Sequence, residues 1–385
     1  MNGGEVVVDV MLSRDVDTVF FVPGGTNTTI LEALSRNRNK VRAIPTRLES
    51  SAAFACETYS KFAKKPACML ASRAPGACNA TVGIHTAMQA SRPLVFFISN
   101  IPKPQQGREA FQEINYHLMY QPIAKAVFDV HSYDEIAEVT ARALDLSISG
   151  RPGPVVVAIS KDILDGPEGE PVIPAKAAVV RAGVDPIAIK EAIRLIDTAR
   201  HPILIAGEMI SWEIATQALV DFADASGVGV LTAYRQQDTF PSDHGANFGH
   251  LGINRIPFQE AALSDCDLLI AMGTRMDSVT VNDYTMIRSN QRLVMVYPEP
   301  SEFSQWQADV AIASNVMPAL EALTKGIAAP SEKRIQWRDK VHHEEVKFAQ
   351  PGEIEVAGAV DMAKVITHFI DKVPQDCINI SDAGS

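Results

Sequence analysis

Glu49 is the carboxylate of this 385-residue sequence best placed to do chemistry. It lies in the stretch from Arg47 to Asn79, RLESSAAFACETYSKFAKKPACMLASRAPGACN. A β-type run (Val41–Pro45) precedes it and an Ala-rich helical run (Ser51–Phe62) follows. A single carboxylate at the mouth of a small, apolar α/β layer suits a buried proton-transfer partner. In a dry pocket its interactions are unscreened and its pKa can rise. A Glu in a first helical turn is also what the helix dipole favours, so residue type alone leaves both readings open.

Two turns could bring backbone close to a ligand. Pro23-Gly24-Gly25 follows an apolar strand and precedes a helix, and its glycines admit close approach of a ligand or a partner subunit. The same residues also make an ordinary strand–helix turn. They are not the G-x-G-x-x-G fingerprint, so nicotinamide binding is not inferred. Pro75, Gly76 and Asn79 form a second such turn, where Asn79 could equally be a polar residue at a helix start. His85, in the helical run Ile84–Met88, reads as structural.

The elements that must position these residues follow an alternating pattern. Short β-branched and aromatic runs (Thr18–Val22, Ala67–Ala71, Leu94–Ser99, Val155–Ile159) alternate with amphipathic runs such as Thr28–Ser35. The β-type runs are continuously apolar, as a parallel sheet covered on both faces requires. After Leu164 the segment DGPEGEPVIPAKAAV is rich in Pro, Gly and charge and reads as a linker. A second α/β unit then begins near Asp185. Its strands are expected at Ile203–Ala206, Val228–Thr232, Asp267–Met272, Leu293–Tyr297 and Val310–Ala313, with a helix at Ile214–Ser226. The fold class is therefore α/β, with two doubly wound parallel-sheet domains and the start of a third. The expected limits are 1–165, a linker at 166–184, a central domain at 185–330, a second linker at 331–355, and the opening of a third domain at 356–385. That last piece reads as helix, turn, strand and a Gly-containing tip, too little to bury both faces alone.

Composition excludes several classes. Apolar residues make up 46% and charged residues 21%, which fits globular protein rather than disorder. A net charge of −11 argues against a broad electrostatic grip on nucleic acid or anionic membrane. No apolar run approaches the ~20 residues of a membrane span. The N-terminus MNGGEVVVDVMLSRD carries charge where a signal peptide needs an apolar core, so a cytoplasmic protein is expected. Cys56, Cys68, Cys78, Cys266 and Cys377 contain no Cys-x-x-Cys pair, which fits a reducing compartment without disulfides or zinc, and no metal ligands are assigned.

Four ordered blocks carry a resemblance. FVPGGTNTTILEAL (Phe21–Leu34), SRAPGACNATVGIHTA (Ser72–Ala87), REAFQEINYHLMYQPIAK (Arg108–Lys125) and SGRPGPVVVAISKDILDG (Ser149–Gly166) resemble the N-terminal domain of thiamine-diphosphate enzymes. The branch is that of acetohydroxyacid (acetolactate) synthase and the 2-oxoacid decarboxylases. Departures from its Thr-Ser-Gly-Pro-Gly-Ala-Thr-Asn turn fall at Arg73, Ala74 and Cys78. The resemblance implies that Glu49 hydrogen-bonds the cofactor's pyrimidine and promotes its activation. It implies cofactor-side turns at Pro23, Gly24, Gly25, Pro75, Gly76 and Asn79. It places Phe111 and Gln112 toward the reaction centre across a subunit interface, with Glu113 supporting structure. The decarboxylase branch carries a His-His pair where this chain has Gln105-Gln106, with His117 alone, which favours the synthase-like branch.

The middle unit resembles the family's central domain, which in relatives holds FAD, ADP or nothing. FGHLGINR (Phe248–Arg255) and MGTRMDSVTVNDY (Met272–Tyr284) supply Gly273, Arg275 and Asp277 as candidate nucleotide-binding residues; a scaffold that binds none is equally compatible. The Gly-Asp-Gly that holds diphosphate and Mg²⁺ in the family is absent, and the chain reads as a truncated copy of a longer enzyme. The resemblance thus implies a carboligase or lyase on small 2-oxo acids, using thiamine diphosphate and Mg²⁺, and a homodimer or homotetramer. A non-catalytic nucleotide-binding or regulatory protein, and one half of a split enzyme, are the alternatives.

Overall fold

The computed structural model describes residues 1–166, 168–176, 178, 181–350, 352, 358–374 and 376–380. Its first sheet contains β1 (Thr18–Phe21), β2 (Arg42–Pro45), β3 (Ala67–Ala71), β4 (Leu94–Asn100), β5 (Ala126–Val130) and β6 (Pro154–Ser160). The order is β2-β1-β3-β4-β6-β5, with every pair parallel. The second sheet contains β7 (Pro202–Ala206), β8 (Gly229–Thr232), β9 (Asn247–His250), β10 (Leu268–Met272), β11 (Arg292–Tyr297) and β12 (Val310–Ala313). Its order is β12-β11-β10-β7-β8-β9, again all parallel. The α/β class with two doubly wound sheets is as the sequence implies.

Continuous apolar runs become the central strands. Every residue of β3 and β6 is buried, because helices cover both faces of the sheet. The helix Glu49–Ala63 packs Ala52, Ala53 and Cys56 against one face. The small side chains permit close approach to the helix Thr81–Gln89, where Gly83 leaves no room for a Cβ beside Ala53. The other face is covered by the helices Gly3–Ser13 and Ile136–Ile148, whose Val and Ala side chains share one core with Val95 and Val155.

In each sheet the chain switches from one side to the other at one central point, between β1 and β3 and between β7 and β10. Loops leaving the carboxyl ends of strands at such a point form the crevice where open α/β sheets bind ligands. The Pro23–Gly25 turn leaves β1, the Ser72–Gly76 turn leaves β3, and Glu49 follows β2, so all three gather at the first switch point.

Several elements differ from the sequence expectation. The edge strands β5 and β9 were not foreseen, nor was the helix Gly3–Ser13, whose Val-rich sequence favours strand locally. Ile214 has φ +57° and lies outside the helix, which starts at Thr216. Residues 332–349, read as a polar, charged helical stretch within the second linker, do form an 18-residue helix, but it docks on the central unit. Its Arg334 is buried and donates to the carbonyls of Ser226, Ile196, Asp197 and Ala199, while Trp337 packs edge-on against Phe248. The helix Met362–Ile370 forms as foreseen but buries none of its residues, and residues 376–380 form no strand. The Gly-containing tip, 381–385, lies outside the described residues, as does Pro351.

Polar contacts join the two sheet units. Arg151 pairs with Glu302 at 2.8 Å and Lys61 with Asp238 at 2.9 Å. Buried Arg92 donates to Gln236 at 3.2 Å. The stretch after the first unit runs back along it, held by Arg14 on the carbonyls of Pro174 and Ala175.

Candidate functional site

Glu49 is the first residue of its helix and is only 7% exposed. Asn79 Nδ2 donates to its Oε2 at 3.0 Å. Its Oε1 accepts no hydrogen bond among the described residues and faces Gly76, where an added Cβ would stand 2.7 Å away. A buried carboxylate with one oxygen anchored and the other unspent, opposite a residue without a side chain, is built to receive a donor from a flat ligand.

The turn that carries Gly76 is braced from behind. Tyr116, buried, accepts the Ala74 N–H on its hydroxyl at 2.8 Å, and burial pushes that phenol up to about 12. The hydroxyl of buried Tyr120 donates to the Ala77 carbonyl. Both tyrosines escaped the sequence reading, since an aromatic residue some forty positions from the turn gives no local sign of contact. The turn after β1 is tied in by Thr26 and Ser72, whose hydroxyls lie 2.8 Å apart, and Gly24 has no space for a Cβ against Ser72. Asn27 accepts the Gly24 N–H on its side chain, while Gly25 faces open space.

The loop after β4 is stapled by Glu113. Its carboxylate accepts the N–H groups of Gly107 and Ala110, which holds its pKa below the usual value. Gly107, Glu109 and Gln112 all adopt positive φ (+74°, +55° and +68°), a backbone no propensity would signal. The staple presents Phe111 to solvent at 81% exposure and turns Gln112 toward Arg73, whose Nε donates to Gln112 Oε1 at 2.8 Å. Arg73 thus bridges the turn beside Glu49 and the loop of Phe111 and Gln112. A cavity of about 290 Å³ lies behind this loop, lined by Asn100, Gln106, Glu113, Tyr116, His131 and Ser160; Glu49 is not part of its wall.

The central candidates are engaged with the protein itself. Gly273 has φ +66°, and a Cβ there would come within 2.8 Å of both Met209 and Val316. Arg275 donates to the Gln89 carbonyl of the first unit at 2.5 Å and lies 3.7 Å from buried Glu208. Asp277 accepts the N–H groups of Val279 and Thr280 and the Thr280 hydroxyl, organising its own loop. His85 lies on the helix Thr81–Gln89, away from these contacts. No cluster of three or more potential metal ligands occurs among the described residues.

Comparison with known proteins fits this geometry. Residues 1–119 match the description "Thiamine pyrophosphate enzyme, N-terminal TPP binding domain", and residues 189–323 match "Thiamine pyrophosphate enzyme, central domain". The acetolactate synthase large subunit of Corynebacterium glutamicum is 29% identical over 369 residues, covering 92% of this chain and 58% of that protein. The acetolactate synthase isozyme 2 large subunit of Escherichia coli K12 is 28% identical over 389 residues, covering 100% of this chain and 69% of that protein. A solved Mycobacterium smegmatis protein, described as a "putative thiamin diphosphate-dependent enzyme", superposes with a TM-score of 0.77 at 21% identity, over 86% of this chain and 64% of its own. The chain spans 58% of the Corynebacterium relative, less than two thirds. Through its N-terminal and central domains, the chain belongs to the thiamine pyrophosphate enzyme family.

Proposed function

We propose that this chain contributes the pyrimidine side of a thiamine diphosphate site to an acetolactate synthase-like carboligase or lyase acting on 2-oxo acids. The observation that carries the reading is the buried Glu49 carboxylate, anchored through Oε2 by Asn79 and open through Oε1 toward Gly76. An oxygen without a protein partner, beside a residue with no Cβ, suits a hydrogen bond whose proton is shared with the ring nitrogen of an aminopyrimidine, so the residues present fit the group. When bound, thiamine diphosphate supplies a carbon nucleophile and an electron sink for 2-oxo acid chemistry.

The chain's own residues do the rest. Glu49 presents Oε1 for that shared proton, and burial keeps the interaction unscreened. Asn79 fixes the carboxylate plane. Pro75, Gly76 and the Pro23–Gly25 turn form the wall the ring lies against. Phe111 and Gln112, held out by the Glu113 staple, form the acceptor side, and the 81% exposure of Phe111 supports its use against a second subunit of a homodimer or homotetramer.

The proposal extends to Mg²⁺ as the diphosphate's counter-ion and to a cytoplasmic location, but it routes no step through the metal. It assigns no FAD to the central unit, because Gly273, Arg275 and Asp277 are occupied by protein contacts. Calorimetric titration of thiamine diphosphate with Mg²⁺, followed by a pyruvate consumption assay, tests the reading. Binding that weakens in Glu49→Gln supports it; binding that Glu49→Gln leaves unchanged refutes it.

A further inference from the structure

We infer that Arg73 grips the carboxylate of the substrate, so that this site selects 2-oxo acids over neutral carbonyl compounds of the same shape. The inference rests on the function proposed above and specifies how its substrate class is chosen.

Arg73 lies in the turn after β3, between Ser72, which bonds Thr26, and Ala74, which bonds Tyr116. It stands three residues before Gly76, the residue against Glu49. It is half-buried, and its single hydrogen bond, from Nε to Gln112 Oε1 at 2.8 Å, fixes the plane of the guanidinium. The Nη1 and Nη2 groups make no hydrogen bond, and no carboxylate comes within 4 Å of them among the described residues.

A half-exposed guanidinium held by one hydrogen bond and facing no protein anion keeps its charge and its free donors available to an anionic ligand. The chain carries 46 acidic against 35 basic residues, so anionic partners for an arginine are plentiful elsewhere. Arg151, Arg194 and Arg292 all have one. The free edge of Arg73 presents two parallel N–H groups, the fork that a carboxylate fills bidentately. Arg47, two residues before Glu49, is exposed and held by no hydrogen bond among the described residues, so fixing it on a ligand would cost side-chain entropy that Arg73 has already lost.

The competing role is structural: Arg73 could serve only to turn Gln112. That role involves Nε alone and would not distinguish an acid from its amide.

The test is calorimetric titration of the full chain at low salt, without added cofactor so that nothing turns over. The probes are pyruvate and pyruvamide, which share shape but differ in charge. Wild type should prefer pyruvate by about tenfold, the value of a charge-assisted fork over a neutral contact. Arg73→Gln should erase the preference, and Arg73→Lys should retain part of it. Added salt should weaken pyruvate binding and leave pyruvamide unchanged, a measurement that needs no variant. A preference that survives in Arg73→Gln, or a wild-type site that does not distinguish the probes, overturns the inference. Thiamine diphosphate binding by the same preparation reports on the proposed function alone. If it persists while the acid preference is absent, Arg73 loses its role and the function stands; if it is the same in Glu49→Gln as in wild type, the proposed function falls whatever the probes show.

Discussion

The two switch points of this molecule have the same architecture and opposite use of their polar groups. At the β7/β10 switch, Gly207 and Gly273 press together so closely that a Cβ on Gly207 would sit 2.3 Å from the Gly273 carbonyl oxygen. The carboxylate beside them, Glu208, accepts the Tyr297 hydroxyl at 2.9 Å and the Ser91 hydroxyl at 3.3 Å, and Arg275 approaches it. At the β1/β3 switch, Glu49 has one protein partner and an oxygen to spare. Fold alone therefore does not mark a binding crevice. What separates the two is that the Glu208 carboxylate is used by protein groups, while Glu49 keeps one oxygen without a protein partner beside a residue with no Cβ.

The sharpest way to break the comparison is to neutralise each carboxylate. Glu49→Gln should lower 2-oxo acid turnover by roughly 10²–10⁴-fold with little change in melting temperature. Glu208→Gln, altering a group that only the protein uses, should cost about 1–3 kcal/mol of stability. Equal effects of the two changes on turnover would remove the distinction.

The paired glycines come next. Gly273→Ala meets Met209 and Val316 at positive φ and should destabilise by roughly 2–3 kcal/mol, read by denaturant unfolding. Gly76→Ala meets only the end of the Glu49 side chain, so the fold should survive while thiamine diphosphate affinity drops. A smaller effect is expected at the staple: Glu113→Ala frees the Gly107 and Ala110 N–H groups and should reduce turnover roughly tenfold through misplacement of Gln112.

The smallest effect lies between the units. Burial and the neighbouring Arg92 bring Lys64 from its ordinary 10.5 down to about 8. Between those values the unfolded chain holds the proton that the folded chain has released, so this group's contribution to stability rises with pH across that window. Lys64→Gln should accordingly melt above wild type near pH 7.5, and the gap should close toward pH 10. A gap independent of pH would show that Lys64 does not titrate there.

What the sequence disclosed follows burial. Strand β3 is uniformly apolar and β4 and β6 are apolar up to their last one or two residues, because both faces are covered, and their positions could be read to within a residue or two. The edge strands β5 (AVFDV) and β9 (NFGH) mix polar and apolar residues, since an edge needs less burial, and so they carried no clear signal. The polar helical stretch at 332–349 reads as lying in a linker because its surface is charged; it docks through buried Arg334, which composition counts as a surface residue, with Val341 and Trp337 beside it. The structure has Glu49 buried at a strand-to-helix link, and that position was legible from its motif. The tie between Arg73 and Gln112 was not, because it depends on a positive φ at a non-glycine residue 39 positions away.

The strand order also bears on how the chain is made. β5 pairs with β6 and with no other strand, yet β6 sits between it and β4. During synthesis β5 therefore emerges before the only strand that can receive it. At a ribosomal rate of about 5–20 residues per second, it waits for roughly one to six seconds with its edge unsatisfied. In that interval the edge of β4 that β6 will take is unpaired, so the first sheet cannot be completed until Ser160 appears.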